Sequence, residues 1–243
     1  MGGGTFERNL HIKELEGVVD VKLLSVQIAL FSSDLIGRPD LLMNEVNSRL
    51  GSIFNAMPNI LNLPPEIPAE IPLVQARSTD DIFALNVSRS RIDFIVSPEF
   101  SREDLPFDIF KEYKPLIEKY CKATVNAINL VRVGVIMTLF QPTDENVKRI
   151  HEKYFCGPFP QNRVEIKFNV NEQNLVKGMV YNNIKTVEAI DLYIGEAVQK
   201  GVIFQLDTNN IPDDEKAINY DVISSVLTQA SSKIKTMALK ELI

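Results

Sequence analysis

Tryptophan is missing altogether from these 243 residues, and cysteine and histidine occur only twice each. Cys121 and Cys156 stand far apart and form no C-x-x-C pair, so neither a disulfide framework nor a structural zinc site is suggested. His11 and His151 leave little for imidazole catalysis. The one His-Glu pair, in RIHEKYF, has Phe155 where H-E-x-x-H requires its second histidine, and a histidine beside a glutamate on a helix is expected at the surface. Cys156 falls near the end of that predicted helix, where the dipole disfavours a thiolate, so a structural role is expected. Positive charge is also short: the formal net charge is −6, which argues against a broad nucleic-acid surface built on clustered Lys and Arg.

No apolar run reaches the roughly 18 residues of a transmembrane helix, and no basic region leads into an apolar core at the start. The expected setting is the cytoplasm, with no membrane partner. The opening MGGGTF places Phe6 where an acylation signal requires Ser or Thr, so it reads as a scar or a mobile start. Glycines are scattered, without G-x-x-x-x-G-K-[ST], G-x-G-x-x-G or G-x-S-x-G, and no nucleotide cradle, catalytic residue or cofactor is assigned.

What is present is a sequence of apolar patterns. VVDVKLLSVQIALFSS alternates in two phases, predicting a long strand with a bulge near Leu23 and Leu24. GRPDLLMNEVNSRLGSIFNAM predicts a helix opened by Pro39, with Leu42, Val46, Leu50, Ile53, Phe54 and Met57 on its inner face. NLPPEIPAEIPL, whose prolines exclude helix and central strand alike, predicts an extended connector. A hairpin around SRSR follows, then a helix over 108–129 with Pro115 inside it. LVRVGVIMTLF reads as a strand with Gly134 marking a close contact. Thr143 is placed to cap the next helix; four strands are expected at about 163–171, 175–184, 186–194 and 201–208. A long C-terminal helix starts at Tyr220 with Val222, Val226, Ala230, Ile234, Met237 and Leu242 as its stripe. Helices fall between groups of strands, which predicts an α+β fold of mostly antiparallel sheets with packed helices, in two lobes, 1–141 and 142–243, of one composite domain.

Two constellations could carry chemistry. Residues 205–221 hold the carboxylates Asp207, Asp213, Asp214, Glu215 and Asp221. As an EF-hand loop the segment fails, because Ile211, Pro212 and Ile218 occupy the fifth, sixth and twelfth positions, where an oxygen ligand, glycine and glutamate are needed. It resolves into a strand-terminal Asp207, a turn through NNIPDD and a helix cap at Asn219 and Asp221, which leaves Asp207 as the metal candidate. Arg77, Arg89 and Arg91, which could meet Arg102 from neighbouring strands, and Arg132 on a later strand are the candidates for anion or ligand binding. The competing expectation is a solvated hairpin paired with Asp80, Asp81 and Asp93.

Taken together, FALNVSRSRIDFIV, ATVNAINLVRVGVIMTLF with its Arg132-Val133-Gly134, and GVIFQLDTNN with Asp207 before a long helix resemble a sporadically distributed family of uncharacterised prokaryotic proteins of about this length. The resemblance implies a cytosolic α+β protein without an assigned activity, compatible with a mobile-element or antiviral-defence setting. The leading expectation is a non-enzymatic interaction or sensor protein that associates with a protein partner or with itself. The alternatives are a metal-dependent hydrolase or nuclease using carboxylates near Asp207, and a small-ligand-binding protein.

Overall fold

The computed structural model describes residues 20–64, 66–176, 178–212 and 217–238, of which 237 and 238 are described by backbone alone. The alternation of Val26, Ile28 and Leu30 makes Lys22–Ser32 (β1) a strand with one fully apolar face, and all three side chains are buried. Among the described residues β1 lies in the middle of a nine-stranded antiparallel sheet and is hydrogen-bonded on one side to β5 (Arg91–Val96) and on the other to β6 (Leu130–Pro142). The expected bulge is present, with the register against β6 slipping between Leu23 and Ser25. Outward from β5 run β4 (Phe83–Val87), β3 (Val74–Arg77) and the two-residue β2 (Asn59–Ile60). Outward from β6 run β9 (Ala197–Asn210), β8 (Met179–Ile194) and the edge strand β7 (Lys167–Val176). This single sheet passes through both segments 1–141 and 142–243, because β6 pairs with β1 on one side and β9 on the other.

Register shows where the core sits. Val26, Ile28 and Leu30 align with Val96, Phe94 and Ile92 on β5 and with Met137, Val135 and Val133 on β6; that row continues to Leu206 on β9 and Lys185 on β8. The helices α1 (Pro39–Leu50), α2 (Pro106–Val125), α3 (Asn146–Tyr154) and α4 (Tyr220–Ala238) lie against this face. Phe54 and Tyr120 meet Phe94 there, Tyr154 meets Phe168, and Lys233 meets Thr208. Among the described residues no helix is long and apolar enough to cross a membrane.

Several local expectations give way. The first helix stops at Leu50, because Gly51 takes a left-handed φ of 89° and its amide turns back to Asn47 and Ser48. Met57, placed by period on the inner face, is therefore 96% exposed. The four strands expected after 163 are three: Gly178, at φ 80°, makes the turn from β7, and the chain then runs straight through Ile184 and Lys185 as one long β8. Thr143 does not cap α3. Its amide is held by the carbonyl of Lys200, and the Asn146 side chain accepts the Val147 amide instead. His151, expected at the surface, is buried. Arg163 can only donate to its Nδ1, 2.7 Å away, so Nε2 carries the proton and donates to the Gly157 carbonyl. The cap on α4 stands where expected, with Asn219 accepting the amides of Asp221 and Val222. Met237 has no described side chain, and MGGGTF, Pro65, Asp213, Asp214, Glu215 and Leu242 lie outside the described residues.

Candidate functional site

The sheet face opposite the helices carries the residues singled out by sequence, and it brings only some of them together. Phe31 on β1 is flanked in register by Arg91 on β5 and Arg132 on β6. Their guanidinium carbons lie 5.5 and 5.0 Å from its ring centroid, within cation–π range. Arg91 reaches Asp93 at 2.9 Å; Asp93 is 3% exposed, and burial pushes its carboxyl above the usual range although Arg91 pulls it down. Arg132 has a buried Nε without a hydrogen-bond partner among the described residues. Arg77 stands apart, exposed and 3.7 Å from Asp81, and Arg89 donates to the Ile67 carbonyl and ties down the proline-rich connector.

Asp207 lies inside β9 and not at its end, because the strand continues to Asn210. Its carboxylate accepts from Asn209 at 2.9 Å; Asn209 accepts from Asn182, and Asn182 from Gln173, so an amide ladder crosses β9, β8 and β7. Asn209 and Asn210, expected as turn formers, are buried strand residues. Asn210 accepts the Val133 amide at 2.7 Å and donates to the Val131 carbonyl, completing backbone bonds that β9 would otherwise supply to the start of β6. The hydrogen bond that Asp207 accepts thus comes from a neutral amide. Among the described residues no three of His, Cys, Asp and Glu are grouped to hold a metal ion.

The helix face offers a different arrangement. Over β7, β8 and β9 the helices α3 and α4 leave a cavity of about 380 Å³ with Tyr154, Phe168, Val170 and Leu206 in its walls. Into it project Asn183 and Lys185 from the inner face of β8 and Lys233 from α4. The Lys233 Nζ donates to Asn183 Oδ1 and, at 3.3 Å, to Thr208 Oγ1. Asn183 is only 5% exposed, and its Nδ2 has no partner among the described residues. Lys185 Nζ donates to the Tyr154 hydroxyl at 2.9 Å and lies 5.4 Å from the Phe204 ring centroid. Mostly apolar walls with a few convergent polar groups are the usual build of a small-molecule site.

Burial lowers the Lys233 amine from its ordinary 10.5 to about 8, against the pull of Glu172 and Asp207. Above 10.5 neither folded nor unfolded chain holds this proton, and as pH falls toward 8 the unfolded chain binds it first. Burial of Lys233 therefore opposes folding increasingly across that window and fully below it. The stability of the wild type relative to Lys233→Met is expected to rise between about pH 8 and 10.5, read from urea midpoints; parallel midpoints would refute the assignment.

This cavity is not among the candidate sites expected from the sequence. Its signal was the inner-face row Tyr181, Asn183, Lys185 and Val187, in which two polar residues interrupt an otherwise apolar alternation. Splitting β8 at residue 185 hid that row. No protein-family model matches the chain, and no curated protein matches it.

Proposed function

We propose that this protein is a sensor that binds a small organic acid in the cavity between α4 and β7–β9. The reading is carried by the Asn183 amide, buried without a partner at the same spot as two lysine amines. A buried donor without an acceptor costs about 1–3 kcal/mol, which a carboxylate in the cavity would recover by accepting from it. The apolar walls suit a short hydrocarbon body. Lys233 belongs to α4, whose Ile223, Val226, Leu227, Ala230 and Ile234 are buried in the core, so occupancy bears directly on the helix that covers β6 and β9. That coupling is what a sensor requires.

The test is a thermal-shift and calorimetric titration with short aliphatic and aromatic carboxylates, with inorganic phosphate as a purely ionic control. Saturable stabilisation by at least one carboxylate is expected, with affinity about tenfold or more weaker in Lys233→Met, the scale of one charge-assisted hydrogen bond. Unsaturable shifts, or equal shifts in the variant, would remove the reading. Saturable stabilisation by Mg²⁺ that Asp207→Ala abolishes would instead favour metal-dependent hydrolysis.

Self-association forms part of the same reading. β7 is an edge strand with most of its residues exposed, and the β8–β9 hairpin extends past the last β6 pair, Pro142 with Gly201, presenting Tyr193 and Val198 to solvent. Sedimentation velocity with and without the bound carboxylate reads whether assembly follows occupancy.

A further inference from the structure

We propose that Lys233 is a carbonyl-trapping amine, which forms an imine with an aldehyde or 2-oxo acid held in the cavity. The inference rests on the acid-binding reading above and adds a covalent step to it. A neutral lysine amine has two N–H bonds and one lone pair, and Lys233 faces two acceptors, Asn183 Oδ1 and Thr208 Oγ1. Satisfying both leaves the lone pair for the cavity. An ammonium ion would carry a third N–H, for which the described residues supply neither a further hydrogen bond nor a carboxylate within ion-pair distance. The two acceptors hold Nζ with its remaining valence toward the cavity, and the lowered proton affinity of this half-buried amine makes the neutral, nucleophilic form accessible near pH 8. Lys185 and the Asn183 amide lie in the same cavity, where they can hold the acid group while the carbonyl carbon faces Nζ.

In the step itself, the lone pair of Nζ forms the C–N bond as the carbonyl π pair moves to oxygen. One nitrogen proton passes to that oxygen, a route open to the Glu172 carboxylate that lines the cavity. The remaining nitrogen proton follows by the same carboxylate route and converts the hydroxyl to departing water while nitrogen closes the C=N bond. Amine and carbonyl give imine and water, with no change in oxidation state.

The experiment incubates the full chain with glyoxylate and sodium cyanoborohydride, which reduces an imine to a stable secondary amine, and maps the labelled peptides over pH 6 to 10. Labelling of Lys233 at least tenfold faster than of the exposed Lys111, rising through about pH 8 and slowed by propionate, is the expected result. Lys185→Met should raise the glyoxylate concentration needed for half-maximal rate, and Lys233→Arg should leave only the slow labelling of exposed lysines. If Lys233 labels no faster than Lys111, the imine is overturned. The carboxylate titration then separates the two claims: saturable stabilisation by propionate or another short carboxylate keeps the acid site without the covalent step, and its absence from all of them removes both.

Discussion

Gly201→Ala is expected to destabilise the protein by about 3 kcal/mol or more, at the upper end of what overpacking costs. A methyl group at Gly201 would run into the Phe140 ring and come within 2.5 Å of the Gln141 backbone carbonyl. The ring could turn aside, but the carbonyl belongs to the ladder at the end of β6 and can move only by opening the pairing with β9. The same glycine offers its own carbonyl to Asn146 at the start of α3, so the disturbance reaches the helix above the cavity. Gly134→Ala is the control. An added methyl there meets nothing closer than 3.7 Å, and the variant is expected to be neutral or more stable by about 0.5 kcal/mol through reduced freedom of the unfolded chain. Urea midpoints of the two variants, measured together, check the contrast.

Phe94→Ala is expected to cost about 3–5 kcal/mol and to lower the melting temperature by roughly 10 °C or more for a chain of this size. Phe94 is fully buried at the centre of an aromatic group, with ring centroids 5.1 Å from Tyr120, 6.0 Å from Phe54 and 6.0 Å from Phe83. Those rings come from α2, from the segment after α1 and from β4, so one deletion loosens three elements at once. Tyr120→Phe, which removes only the 2.9 Å bond to the Ile92 carbonyl, should cost about 1–2 kcal/mol. Similar losses from the two variants would mean that the cavity left by Phe94 is refilled by its neighbours.

The order of elements was legible because apolar period survives wherever one face of an element is buried: β1, β6, α2 and the α4 stripe through Val226, Ala230 and Ile234 follow it directly. Expectation failed where one residue type can do two jobs. Asn209 and Asn210 are common turn formers, yet here they bond side chains and backbone within a strand, something composition does not distinguish. Gly134 and Gly201 look alike in sequence. Only the position of the Phe140 ring makes the second the tight one. The arginines illustrate the same limit: Arg91 and Arg132 are neighbours only because β1 is inserted between their strands, while Arg77 lies two strands beyond β5. The cavity needed β8 to be recognised as a single strand, since its polar row shares a face only if the alternation runs unbroken from Tyr181 to Val187.

The insertion of β1 between β5 and β6 also sets a timetable for synthesis. Leu30 can find Ile92 about sixty residues after its own synthesis, but its other neighbour, Val133, lies about forty residues further on, and Thr208, which pairs with Val135, comes much later. During translation β1 therefore waits with one edge unpaired and its apolar face covered only by the helices made so far. The ribosome releases first a half-sheet of β1–β5 under α1 and α2, and then the strands that enclose the lysine cavity. The half that holds the lysine cavity is the last to form and is added to a surface already built.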